Sequence, residues 1–220
     1  MLVDGEQARY LLAADGLHSP VRRLLGLDSP TGARRRFGQR CHVEQAPWTS
    51  YVEVHWSPRA EAYVTPVDDD LVGVALLGDA GTRFDDLLGD FPLLAERLTG
   101  TRTKVLGAGP LRQRVRTRAS GRVLLVGDAA GYVDALTGEG IALGLAQART
   151  AVSCLAADRH ERYEGMARRL GLRHELLTHA LLRATAHAPV RRALVPAASM
   201  LPWVFSAAVN QLARPAGGTS

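Results

Sequence analysis

The chain has 220 residues and a formal net charge of +5, from 27 cationic and 22 acidic side chains. With 46% hydrophobic and 22% charged residues, it is no disordered polyelectrolyte, and it can build a core without disulfide staples. Every basic residue except Lys104 is arginine, so the positive balance reads as arginine usage and not as a nucleic-acid footprint. Cys41 and Cys154 are too few and too distant for a disulfide framework or a zinc site, and they fit a reducing cytoplasm.

Met1 to Gln7 carries Asp4 and Glu6 and lacks the apolar stretch of a secretory signal. Ala8 to Ala14 reads as a short strand that ends at Asp15-Gly16, and Ser19 caps a helix running to Leu25. Strands follow at Arg40–Glu44, Tyr51–Trp56, Ala62–Val67 and Leu71–Leu77, bounded by Pro47, Ser57-Pro58 and Asp68-Asp69-Asp70. Their spacing predicts an antiparallel sheet with one solvated face. Short helices at Phe84–Leu88 and Pro92–Leu98 precede strands at Thr103–Leu106 and Arg122–Val126. The last third is helical, over Gly140–Ala157 and Glu161–Ala186, and Pro189, Pro196 and Pro202 then break the tail into short pieces. Strands first and helices last predict an α+β chain, or one part of a larger mixed fold.

The segment from Val123 to Ile141 carries the chemistry. Val123–Val126 is a buried strand that delivers Gly127-Asp128 to its carboxyl edge, where open α/β sheets bind ligands. Asp128 is a short acceptor suited to a polyol hydroxyl. Ala129, Ala130 and Gly131 keep side-chain bulk away from the main chain. Thr137 can cap the next helix, and Gly138 and Gly140 leave its first turn bare, so that its positive end favours an anion.

With this run, the sequence resembles FAD-dependent oxidoreductases of the aromatic-hydroxylase (group A monooxygenase) and geranylgeranyl-reductase type. Ala14-Asp15-Gly16-Leu17-His18-Ser19-Pro20-Val21-Arg22 is similar to that family's Asp-Gly fingerprint and precedes the Gly-Asp-Ala-Ala run in the family's order. The resemblance implies part of an α/β FAD-binding fold with an antiparallel substrate-domain sheet and C-terminal helices. It divides the chain into a partial FAD-binding domain (1–30 and 103–157), a substrate sheet (31–102) and a helical region (158–220). Asp128 would bind the ribityl hydroxyls. Gly127, Ala129, Ala130 and Gly131 would line the cofactor, Gly138 and Gly140 would lie at the pyrimidine edge of the flavin, and Asp15 and Gly16 would complete the site. NAD(P)H is the implied reductant, and a hydrophobic small molecule the implied substrate, hydroxylated or reduced at a double bond. Catalysis falls to the cofactor, and no side chain is singled out as catalytic. The pattern departs at Asp134-Ala135, where many relatives carry a proline.

The Gly-x-Gly-x-x-Gly turn that such enzymes use for the ADP half of FAD is absent from the sequence. The expectation is therefore an N-terminally truncated chain with weak FAD affinity of its own. The competing expectation, a non-catalytic remnant or interaction module, predicts a colourless purified protein.

Other features carry less. Arg112, Arg114, Arg116 and Arg118 alternate as if on one face of a solvated edge strand. Arg34-Arg35-Arg36 and Arg191-Arg192 read as surface clusters, the latter a weak anchor for peripheral membrane contact by the uncharged tail Ala193–Ala213. His174 and His179 stand five apart and diverge around a helix, so no metal site is expected. Trp48, Tyr51, Trp56 and Tyr63 read as core aromatics of the middle sheet.

Overall fold

A computed structural model describes residues 2, 3, 5–31, 36–134, 140–186, 190 and 203. In chain order, β1 (Leu2–Val3) and β2 (Glu6–Gln7) form a hairpin and β3 (Leu11–Ala13) follows. Helix α1 (Pro20–Leu24) starts as its sequence demands, with Pro20 in the first turn and the Ser19 hydroxyl accepting from Arg22 N at 2.9 Å. Then come β4 (Asp28–Ser29), β5 (Arg36–Glu44), β6 (Glu53–Trp56), β7 (Glu61–Asp68) and β8 (Leu71–Asp79). Helices α2 (Phe84–Leu88) and α3 (Pro92–Arg97) lead into β9 (Thr101–Arg102), β10 (Leu106–Ala108), β11 (Arg114–Val115), β12 (Ala119–Ser120) and β13 (Val123–Leu125). A 3-10 turn at Gly127–Ala130 and the helices α4 (Gly140–Ala156) and α5 (Tyr163–Ala186) complete the described chain. The α+β reading stands.

The chain divides into two compact units, residues 32–112 and the remainder. Residues 103–112 lie in the inserted unit, where β10 pairs with β5, and α5 lies in the unit that holds β3 and β13.

The inserted unit is an antiparallel sheet in the order β10-β5-β8-β7-β6. Val72, Val74 and Leu76 alternate along β8 and point, with Cys41, Val43 and Val64, at Phe84, Leu87, Phe91 and Leu94 of the helical segment. Period-two alternation on one face is the reason the sheet has a single helical cover. The expected strand Thr103–Leu106 falls mostly in the gap between β9 and β10, with only Leu106 in a strand. The Thr103 hydroxyl accepts from His42 N at 2.9 Å, taking the place of a backbone carbonyl and ending β9 early. The middle-sheet aromatics do not act as one core set. Trp48 is half-buried under the Arg97 guanidinium, 4.0 Å from its ring centre, while Tyr51 is exposed.

The other unit is built on the three-stranded sheet β12-β13-β3, in which β13 runs parallel to β3. All three residues of β13 are buried, as expected of a strand covered on both faces. Leu124 packs against Ala151 and Cys154 of α4 and Tyr163 and Ala167 of α5, while Val123 and Leu125 pack with Ala13, Leu27 and Ala130. The buried Tyr163 hydroxyl donates to Leu125 O at 2.6 Å, pinning α5 to the strand. Tyr163→Phe is expected to cost about 1–2 kcal/mol in a urea denaturation series, since it leaves that carbonyl without this donor.

Two arginine readings change. Arg118 is not on a solvated stripe: it pairs with Glu175 at 3.0 Å and Glu164 at 3.6 Å, and the strand that would align it with Arg112, Arg114 and Arg116 is broken into β11 and β12. Arg36 is an inward partner of Glu61 at 2.8 Å and not part of a surface cluster. Arg34, Arg35, Gly138, Arg191-Arg192 and the tail 193–213 lie outside the described residues. Among the described residues, no helix is long and apolar enough to cross a membrane, and no group of His, Cys, Asp and Glu could hold a metal ion.

Candidate functional site

The parallel pair sets Leu125 beside Ala13, and Val126 N donates to Ala13 O at 2.9 Å. Both chains therefore leave the sheet side by side at its carboxyl edge, which brings Asp15-Gly16 and Gly127-Asp128 together although more than a hundred residues separate them in sequence.

At the second exit the backbone turns sharply. Gly127 has φ +64° and Gly131 φ +117°, values that a side chain would strain, and they bracket the 3-10 turn that carries Asp128. Gly127 N donates to the buried Gln147 Oε1 at 2.8 Å, fastening the turn to α4. The two elements also meet through their glycines, since a Cβ on Gly144 would lie 3.4 Å from the Gly127 Cα. Ala129 and Ala130 are buried, and Ala130 packs against Ala13 and Leu125, so its methyl group faces the core.

Asp128 is half-buried, and among the described residues no donor reaches its carboxylate; burial pushes its pKa up. The carboxylate stands at the first turn of α4. A Cβ built on Gly140 would lie 3.7 Å from Asp128 Oδ1 and 3.6 Å from the Tyr132 ring. The bare glycine thus puts no Cβ between the carboxylate, the aromatic edge and the positive end of a 17-residue helix, the three walls of a candidate cradle. Tyr132 is held by a two-way backbone bridge with Gln113, at 2.8 and 3.0 Å. Burial, with Asp128 and Asp134 adding negative charge, pushes its phenol up to about 12, so it stays a neutral donor.

Asp15 is used differently. It is exposed, and its Oδ2 accepts from Val21 N at 3.1 Å, so it helps to start α1. Burial works to raise its pKa, but hydrogen bonds from Ser19 and Val21 outweigh this and hold it below the usual carboxylate range. Gly16 beside it has φ +81°.

Sequence reasoning gave Arg22 no role beyond its place at the end of the Asp-Gly fingerprint. Its side chain is 2% exposed. It runs under the turn, with Nη1 donating to Asp128 O at 3.3 Å and Ala129 O at 3.1 Å. Gln147 and Tyr132 were missed as well; a polar residue after the apolar run Gly140–Ala146 was the available signal for Gln147.

No protein-family model matches the chain. Among solved structures it is similar to the Diels-Alderase PyrE3 of pyrroindomycin biosynthesis (21% identity, TM-score 0.73, covering 92% of this chain and 48% of that one). It is also similar to CmlS, a flavin-dependent halogenase (18%, 0.65, 80% and 37%). A third likeness is to OxyS, the anhydrotetracycline hydroxylase from Streptomyces rimosus (21%, 0.63, 92% and 45%). The chain has the fold of the FAD-dependent halogenases and monooxygenases. It spans between 37% and 48% of the length of the three structures named. The parallel pair with its Gly-Asp turn and the antiparallel sheet are thus elements of a flavoprotein fold, which is what the resemblance of the two motifs implied.

Proposed function

We propose that this chain provides the ribityl- and ring-binding part of an FAD-dependent oxidoreductase that acts, with NAD(P)H as reductant, on a hydrophobic small molecule by hydroxylation or double-bond reduction. One observation carries the reading: a half-buried carboxylate with no donor from the described residues, beside a bare helix start, at the carboxyl edge of a parallel strand pair. Burying such a group without a partner costs stability, and functional sites are where that cost is met.

The residues present fit the cofactor. Asp128 accepts hydrogen bonds from ribityl hydroxyls, which replace the water it loses on burial. The helix end at Gly140 would lie toward the pyrimidine edge of the ring, where a positive dipole favours negative charge. Gly127 and Gly131 would let the ligand approach the backbone, with Asp15-Gly16 as the neighbouring wall, whereas Ala129 and Ala130, expected from the sequence to line the cofactor, are buried in the core beneath. Bound FAD supplies the redox chemistry that amino-acid side chains lack. The protein's part is to bind and orient it and to keep Tyr132 protonated.

Titration of FAD and of riboflavin into the 220-residue chain, followed by flavin fluorescence, tests the proposal. Saturable quenching by both is expected, because the assigned contacts lie on the half that the two molecules share. Absence of quenching by either up to about 1 mM, an affinity weaker than about −4 kcal/mol, would refute it.

A further inference from the structure

We propose that Arg22 is the positioning residue of Asp128, acting through the main chain of the turn without touching the ligand. The proposal rests on the flavin reading for its consequence, but the geometry stands alone. Each of the three guanidinium nitrogens is engaged: Nε with Asp28 at 2.7 Å, Nη1 with the carbonyls of Asp128 and Ala129, and Nη2 with Leu17 O at 2.8 Å and Gln113 Oε1 at 3.1 Å. One buried side chain therefore ties together the loop after Asp15-Gly16, the turn that carries Asp128, and the strand residue whose backbone bridges Tyr132. A planar fork with five fixed donors can hold carbonyls in several directions at once, which a lysine cannot do.

A buried arginine serving only as an ion-pair partner would need its carboxylate and nothing more. Here Asp28 takes one nitrogen, while backbone carbonyls at both sheet exits take contacts from the other two. The expected consequence of Arg22→Lys is a loosened Gly127–Ala130 turn, with Asp128 no longer held at its place beside Gly140. As water reaches the carboxylate, its titration should move back toward the ordinary range.

The test compares the wild-type chain with R22K, D28N and D128A. Amide hydrogen exchange of residues 127–131 is measured without flavin, the Asp128 titration by carboxyl-carbon NMR, and the FAD dissociation constant by fluorescence. R22K is expected to speed exchange of those amides about tenfold, to shift the Asp128 titration downward and to weaken FAD about tenfold. D28N, which touches only the ion pair, should leave all three within about threefold of wild type. Unchanged exchange and titration in R22K overturn the proposal, as does a D28N variant that reproduces the R22K changes. If D128A binds FAD as tightly as wild type, the flavin reading falls, while the exchange and titration data still judge Arg22. Should R22K fail to fold, exchange of the Arg22 side-chain hydrogens in the wild-type chain decides. Protection about a hundredfold above that of the exposed Arg9 supports the grip, and its absence overturns it.

Discussion

Asp128→Ala is expected to weaken flavin binding by about 10- to 150-fold, the equivalent of about 1.5–3 kcal/mol for hydrogen bonds to a charged acceptor. The same change should leave the apo chain at least as stable as wild type at neutral pH. Burial raises the Asp128 pKa in the folded chain above its unfolded value. The folded state therefore holds this proton more tightly, and stability falls as pH rises from the ordinary carboxylate range through the raised folded value. Above that value the penalty is complete, and removing the carboxylate abolishes it. Flavin binding runs in the opposite sense: the contribution of the carboxylate is lost as pH falls through the raised value, sooner than an exposed aspartate would predict. Asp128→Asn should flatten that limb of the pH profile. Denaturation and flavin titration across the same pH series check both signs. A variant that is clearly less stable and yet binds flavin normally would show Asp128 to be a structural residue.

Gly140→Ala should separate binding from folding more sharply. The added methyl meets Asp128 and Tyr132 at 3.6–3.7 Å, ordinary contact distances, so the apo chain accepts it. Alanine also favours a helix over glycine by up to about 1 kcal/mol, less at the first turn. The methyl nevertheless occupies the cradle. Overpacking of this kind costs about 1–3 kcal/mol, or about 5- to 150-fold in flavin affinity. The expected result is a melting temperature equal to or above wild type together with a weakened flavin titration. Equal loss of both would place Gly140 in the packing of α4 and not at a ligand.

The sequence made the elements and the edge of the site legible, but not the bonds that hold them. Val123–Val126 announced β13 because four apolar residues between turn formers have no other good home, and Ser19-Pro20 announced α1 through its cap. The strands of the inserted sheet came out within a few residues for the same reason, except where the hydroxyl of Thr103 broke the ladder. Adjacent exits for Asp15 and Asp128 were not readable from composition or spacing. Parallel pairing across so long a connection leaves no local signature. The role of Arg22 was not legible because its burial depends on carbonyls that only the folded turn presents. Arg118 failed for a like reason: alternation suggested one face, whereas Glu164 and Glu175 from a distant helix drew it inward. Asp15 resembles Asp128 in sequence, and only coordinates reveal that it is spent on Val21 N.

The inserted sheet begins and ends at one place. Leu111 N donates to Arg36 O at 2.8 Å, so entry and exit of the insert are clasped within it. Joining β3 to β13 through an unfolded connection of roughly 110 residues would cost the closure entropy of that whole span. If the insert folds first, the span shortens to about 35 effective residues, a saving of about 1 kcal/mol. Its β6–β7 and β7–β8 pairs join strands adjacent in sequence and can form early during synthesis, before the last helices emerge. An insert that closes on itself in this way would lower the entropic toll of bringing the turn at Gly127 beside Asp15-Gly16.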